Sequence, residues 1–303
     1  MDEPIRGLFS RLIFLALPFI AVSCIDESGE PTCVDEDQYV VTISVKDKNY
    51  DNILEVPELT PKSTSLPFSA YVGGISYRLE ELGTKKIVAY KDYFVVDPAE
   101  MTHKLVFNDI PNGRYILTTL GNLPLASRNT RATGMFVTLH DGSIENTDIY
   151  RGTDTLDFSN TPHTTIHFMS RLKGELLVIC KDFPSETDKI VLEVDSIYTG
   201  ISELARNYAG ATTVTQTFGA DERLLQLLLA PTVKNTRSTL KLMLYSEGSS
   251  TPFIIIPDTK FTIERNEVTE ILVDFNTENN TIEISVRIAG AWEKINEMHI
   301  DFE

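Results

Sequence analysis

From Tyr39 onward the chain is a succession of short runs rich in β-branched and aromatic residues, each closed by Gly, Pro, Asn or Asp. That spacing constrains the fold more than any other feature, because runs of this length between turn residues read as strands and no long helical pattern alternates with them. Strands are expected over Tyr39 to Val45, Lys86 to Val96, Thr102 to Phe107, Arg114 to Leu120 and Gly134 to His140. Between the third and fourth, Ile110-Pro111-Asn112-Gly113 supplies the positive-φ residues of a tight hairpin, so those two runs are expected to pair. The polar stretch Tyr150 to Thr165, which carries Gly and Pro, reads as a boundary between one sandwich over residues 39–158 and another over 159–303. Beyond it, strands are expected over His163 to Met169, Glu175 to Cys180, Lys189 to Asp195, Ala211 to Phe218, Leu240 to Tyr245, Phe253 to Ile263, Val268 to Phe275 and Thr281 to Ile288. Ile201 to Tyr208 reads as a short helix, while Glu222 to Leu229 is ambiguous because its leucines favour helix and its surroundings favour sheet. The expected class is all-β, built from antiparallel sandwiches.

Composition narrows the function. The chain has 303 residues, 42% hydrophobic and 23% charged, enough for two cores and too apolar for disorder. Its 44 acidic residues against 27 basic ones give a formal charge of −17, which repels phosphate backbones and sets nucleic-acid binding aside. Three cysteines cannot build a disulfide-rich scaffold or a structural zinc cluster.

Residues 1–23 have the layout of a secretory signal: Arg6 and Arg11, the apolar run Leu12 to Val22, then small residues. The run is too short to span a bilayer, which needs about 20 apolar residues, and Pro18 weakens it as a permanent helix. Ala21-Val22-Ser23-Cys24 resembles the lipobox of bacterial lipoproteins, in which the cysteine thiol is acylated and becomes the new N-terminus. The alternative is plain secretion with cleavage nearby. Lipidation of Cys24 with several acyl chains, palmitate among them, would hold the chain to a membrane without a spanning helix. Residues 24–38 are polar and acidic and read as a flexible tether. Asp26 and Glu27 behind the cysteine either resemble a signal for the outer face of the outer membrane or only solvate the linker.

Of the other cysteines, Cys33 lies in the tether and Cys180 in the apolar run Leu176 to Cys180. A disulfide is chemically permitted in an oxidising compartment, and the plainer reading of Cys180 is a small buried core residue. A search for catalysis finds no nucleophile elbow, P-loop, zincin or dinucleotide motif. His163 and His167 would share a strand face, but with only Asp154 and Asp157 nearby a metal-ligand set is not completed. No cofactor is implied. Tyr71, Tyr77, Tyr90, Tyr93 and Trp292 form either a carbohydrate platform or ordinary packing.

The order of several segments resembles the fimbrillin-associated anchor lipoproteins of Bacteroidetes-type (type V) fimbriae. The segments are the Cys24 lipobox with Cys33 behind it, YVVTISV, Leu105 to Asn108 turning through IPNGRY, and Ser170-Arg171-Leu172-Lys173-Gly174. Ile255-Ile256-Pro257, Arg265 to Phe275, a final strand and Trp292 complete it. The resemblance implies two tandem transthyretin-like β-sandwich domains and a non-enzymatic protein at the base of a surface fibre, with a fimbrillin shaft subunit as partner. An anchor needs one junction with the shaft, and strand addition is a common route. The candidate is the C-terminal segment, where Ile282, Ile284, Val286 and Ile288 alternate with polar residues; the alternative is that this strand completes the chain's own sandwich. Shaft subunits of this class are cleaved after Arg in a loop, but Arg128 and Arg131 in Ser127 to Thr133 read as an ordinary connection, since a cut there would part the lipid from the rest. Asp154-Thr155-Leu156 and Asp195-Ser196-Ile197 match a short O-glycosylation pattern of these bacteria, which also recurs by chance. The competing readings are a surface lipoprotein binding glycan or host ligand, and a lipidated hydrolase with a site assembled from distant residues.

Overall fold

The structure is a computed structural model and describes residues 38–123, 136–140, 142, 146–159, 164–202, 207–276 and 278–300. Within them the chain forms nineteen strands and two short 3-10 turns, and no helix is long and apolar enough to cross a membrane. The strands up to the middle of the chain are β1 (Tyr39–Val45), β2 (Gly74–Glu81), β3 (Ile87–Val95), β4 (His103–Phe107), β5 (Gly113–Gly121), β6 (Phe136–Thr138), β7 (Tyr150–Phe158) and β8 (Thr164–Arg171). There follow β9 (Gly174–Lys181), β10 (Lys189–Ile197), β11 (Gly200–Ser202), β12 (Asn207–Ala209), β13 (Thr212–Gly219) and β14 (Leu224–Leu229). The last are β15 (Ser238–Tyr245), β16 (Ile254–Phe261), β17 (Val268–Asn276), β18 (Thr281–Ile288) and β19 (Ala291–His299).

Sixteen of the strands make two sandwiches of matching topology, and β12-β11-β6 form a separate three-stranded sheet. In the first, β3-β2-β5-β7 forms one layer and β8-β1-β4 the other, joined at a corner where Tyr150 and Arg151 of β7 pair with Arg171 and Ser170 of β8. In the second, β13-β10-β15-β16 faces β14-β9-β17, and the latter layer continues through β18 and β19. Each sandwich is antiparallel, as expected, except for one pair, β1 beside β8 and β9 beside β17. Alternation fixes which face is buried. In β1 Tyr39, Val41, Ile43 and Val45 point inward, and in β10 and β15 Ile190, Leu192, Val194, Leu240, Leu242 and Leu244 do the same. A one-residue slip would place these sets in water, which is why the register is specific.

Several expectations are corrected. The polar stretch read as a boundary contains β7, a nine-residue strand whose Tyr150, Gly152, Leu156 and Phe158 face inward. β8, expected in the second half, pairs with β1, and its Met169 packs in the first core while Leu176 of β9 packs in the second. The Asn112-Gly113 hairpin does not form. β4 pairs with β1, β5 with β2 and β7, and the connection crosses between layers. Its left-handed residue is Asp109, at φ 57°, and the Asn112 side chain accepts a hydrogen bond from the Tyr39 hydroxyl at 3.1 Å. The short helix expected at Ile201 to Tyr208 is replaced by β11 and, from Asn207, β12, with 203–206 outside the described residues. Glu222 to Leu229 resolves as β14, whose leucines at 225, 227 and 229 fill the second core.

A buried polar network joins the two sandwiches. Arg171, at the end of β8 and 2% exposed, donates Nε to both oxygens of Asp148, at 3.0 and 2.8 Å. Its other nitrogens donate to Asn266 Oδ1 at 2.6 Å and to the Tyr150 hydroxyl at 2.8 Å. Asp47, just after β1, accepts from the Arg171 backbone N–H at 2.9 Å and from Arg265 at 2.5 Å. The guanidinium also lies 4.1 Å from the centroid of Tyr50. Gly174 sits beneath this network, and a Cβ there would come within 2.2 Å of the Glu264 carbonyl oxygen, so only glycine lets β9 start where it does.

Candidate functional site: the C-terminal hairpin and the flank of β8

The matching topology isolates what the second sandwich has in addition. β17 corresponds to β8, and on its far side it carries β18 and then β19, joined by a two-residue turn at Ala289 and Gly290 with φ of 49° and 80°. Two positive φ values in a two-residue hairpin are what the right-handed twist of the strands requires. β18 is paired on both sides, to β17 and to β19. Of the four residues singled out for joining, Ile282 and Ile284 are buried in the second core. Beyond Ile284 the alternation of burial ends, with Ser285 buried, Val286 half-buried and Ile288 49% exposed, and β19 bulges opposite this point at Ile295 while β18 keeps its register with β17. The strand therefore roots the hairpin in the core with its first half and lifts its tip out with the second. Trp292 and Ile295 of β19 are exposed at that tip.

Arg287 ties the tip down. Its Nε lies 3.1 Å from Glu270 Oε2 on β17 and its Nη2 lies 3.2 Å from Glu58 Oε1 on the loop after β1. Its guanidinium stacks 4.4 Å from the Trp292 centroid. Burial, then the hydrogen bond and charge of Glu58, push the Glu270 carboxyl up to about 8, against the opposing pull of Arg287. The folded chain thus holds this proton more tightly than the unfolded chain does. The associated stability is whole below about pH 4.5 and is lost as the pH rises through about 8. Thermal melts from about pH 5 to 9 should show the midpoint falling, and Glu270→Gln, which keeps the hydrogen bond without the charge, should flatten part of that fall. Equal slopes for the two proteins would contradict this assignment.

The corresponding flank of β8 is different. Among the described residues, no strand lies beside Thr164 to Met169 on the side away from β1, because β7 touches β8 only at the corner. The outer face here carries Ile166, 58% exposed, and Phe168, 51% exposed, with Val106 of β4 exposed on the same layer. An unpaired flank with apolar side chains beside it is a template for an added strand.

The remaining sequence candidates fall apart or take structural roles. His167 is fully buried, with Nε2 2.8 Å from the Thr119 hydroxyl oxygen and Nδ1 2.5 Å from Asp154 Oδ2, so both ring nitrogens already have partners within the protein. Thr119 is fully buried too, while Asp154 is exposed on β7. His163 lies outside the described residues, as do Cys24, Cys33, Arg128 and Arg131. No group of three metal-ligating side chains occurs among the described residues. Cys180 is a free thiol in the second core, and burial pushes its pKa up to about 12. The aromatic residues form no single platform: Tyr71 is buried, Tyr77 packs edge-on to Phe94 and Phe107, Tyr90 and Tyr93 lie on β3, and Trp292 lies on β19. Thr155 is exposed on β7, whereas Ser196 is half-buried at φ 55° near the end of β10.

No protein-family model matches the chain, and no curated protein matches it. Among solved structures it is similar to a candidate adhesin from Bacteroides ovatus, with a TM-score of 0.55 and 12% identity over 86% of this chain and 95% of that one. It is also similar to the fimbrial anchor protein Mfa2 from Porphyromonas gingivalis, with a TM-score of 0.52 and 11% identity over 86% of this chain and all of that one (100%). A candidate adhesin from Bacteroides thetaiotaomicron gives a TM-score of 0.51 and 13% identity over 86% and 97%. Identities this low establish likeness of fold, and the fold this chain shares with those structures over 86% of its length is one carried by fimbrial and adhesin proteins of Bacteroidetes.

Proposed function

We propose that this chain is an outer-membrane lipoprotein that anchors a fimbria to the cell surface. In this reading residues 1–23 are a lipoprotein signal peptide, Cys24 carries the lipid, residues 24–38 are the tether, and the two sandwiches are transthyretin-like domains. The partner is a fimbrillin shaft subunit joined by strand addition. The observation that carries the reading is the coincidence of a lipobox cysteine with a fold shared with the Mfa2 anchor along that protein's whole length. The unpaired flank of β8 and the lifted tip of the β18–β19 hairpin are the surfaces that support a strand junction. Since β18 is already paired on both sides, the junction uses the hairpin's outer side or the β8 flank rather than the row formed by Ile282 and Ile284. Cells making Cys24→Ala protein should shed their fibres into the medium; fibres kept on those cells would contradict anchoring through this residue.

A second reading, a surface lipoprotein that binds a glycan or host ligand, is favoured by one observation, a cleft beside the junction of the two sandwiches.

A further inference from the structure

The loop after β1 packs on the second sandwich through Tyr50, Val56 and Leu59, which meet Leu177, Leu224 and Val268. Between that loop and strands β9 and β14 lies a cleft of about 500 Å³, a size typical of small-ligand sites. Its floor is the Tyr50 ring, backed by the Arg171 guanidinium at 4.1 Å, with Glu175 beside it. Burial raises the Glu175 carboxyl above its ordinary range, against the pull of its hydrogen bond with Tyr50. Leu59 and Leu224 provide apolar wall and Gln226 an amide that both donates and accepts, while the Asn49 amide is closed on the Lys62 backbone, donating to its carbonyl at 2.9 Å and accepting from its N–H at 2.7 Å.

The charges around the cleft are uneven. Asp148 is engaged by Arg171, and Glu222 accepts from the Gly219 N–H at 3.0 Å. Lys48 and Lys62, on the loop side, have no carboxylate within ion-pair distance among the described residues. The two ammonium groups lie 5.9 and 5.6 Å from the centroid of Tyr71, and Lys48 donates to the Thr64 carbonyl at 2.7 Å. Two cations with no carboxylate at ion-pair distance, Lys62 acting only at longer range on Glu175, give an anionic group local attraction in a chain where acids outnumber bases 44 to 27. An apolar wall, a bifunctional amide and a cationic rim together match a ring with one C–H face, several hydroxyls and one carboxylate.

We propose that this cleft binds a carboxylated sugar, with the carboxylate toward Lys48 and Lys62, the ring against Leu59 and Leu224, and the hydroxyls toward Gln226. The site is independent of whether the chain anchors a fibre. An extended peptide would instead pair with the outer edge of β14, which among the described residues bonds only to β9.

The test is titration calorimetry of the full chain in detergent with glucuronate, N-acetylneuraminate and, as neutral probe, glucose. At least one acid should bind about tenfold or more tightly than glucose, the difference expected of charge-assisted hydrogen bonds. Lys48→Gln with Lys62→Gln should remove that preference and leave glucose binding unchanged, while Leu224→Trp, which fills the cleft, should abolish both. Lys91→Gln on β3 should change nothing. Failure of every probe to bind at millimolar concentration would overturn the proposal, as would an acid preference that survives the double substitution or displacement of the acid by a peptide of alternating apolar residues.

Discussion

Replacing Arg171 with Met is expected to destabilise the chain by about 3–5 kcal/mol, the range for removing one partner from a buried charge network. Methionine is close in volume, so the loss is one of bonding and not of packing. It would leave the Tyr150 hydroxyl, Asn266 Oδ1 and Asp148 without their shared donor, inside the seam where β7, β8 and the turn before β17 meet. Arg171→Lys should recover only part of the loss, because an ammonium cannot bridge three acceptors in one plane. Asp148→Asn should cost less than Arg171→Met, since Asp148 is partly exposed and the other two bonds to Arg171 survive. Urea melts of the four proteins measure this ordering. Wild-type stability in Arg171→Met would show that the seam is held by apolar contact alone. The same seam places Asp47, Tyr50 and Gly174, so its loss should also blur the cleft between the loop and β14.

The second large effect separates the root of the C-terminal hairpin from its tip. Ile284 is buried in the second core on β18, whereas Ile288, four residues on in the same strand, is half exposed beside the turn. Ile284→Asp places an unpaired carboxylate among apolar side chains and should cost more than about 4 kcal/mol, enough to unfold the second sandwich. Ile288→Asp should lie within about 0.5 kcal/mol of wild type. Circular dichroism melts read both. If the two substitutions cost the same, β18 does not pass from core to solvent after Ile284. A stable Ile288→Asp protein that no longer retains fibres would assign the hairpin tip to the junction.

How legible this was in the sequence depends on the strand. β1, β9 and β10 read cleanly because alternation or a dense β-branched run marks them, and Thr281 to Ile288 coincides with β18 end to end. β7 was masked by its outward Thr153, Asp154, Thr155 and Asp157, which carry the composition of a loop while Tyr150, Leu156 and Phe158 face the core. β2 was missed for a related reason, since Arg78 is buried in it with its Nε 3.2 Å from Glu80 and so looks like surface in the sequence alone. Asn112-Gly113 misled because the residue pair fits a tight turn, while the flanking strands belong to different layers. The alternation of burial from Ile282 holds to Ile284 and then ends as the strand rises out of the core, opposite a bulge on β19 that no residue type announces. The polar seam was not legible, because its bonds join residues 124 and 218 positions apart. Ser170 to Gly174 and Arg265 to Glu267 were nonetheless singled out as segments, and the structure brings Arg171 and Asn266 of the two into direct contact.

Anchoring is tested most directly by mass spectrometry of the protein purified from the membranes of its native host. The account predicts an N-terminal Cys24 bearing acyl chains, residues 1–23 absent, and a fimbrillin-like subunit that co-purifies with the wild type and is lost from the membranes of Cys24→Ala cells. An unacylated Cys24, or a lipidated protein that carries no fibre subunit on fimbriated cells, would contradict it.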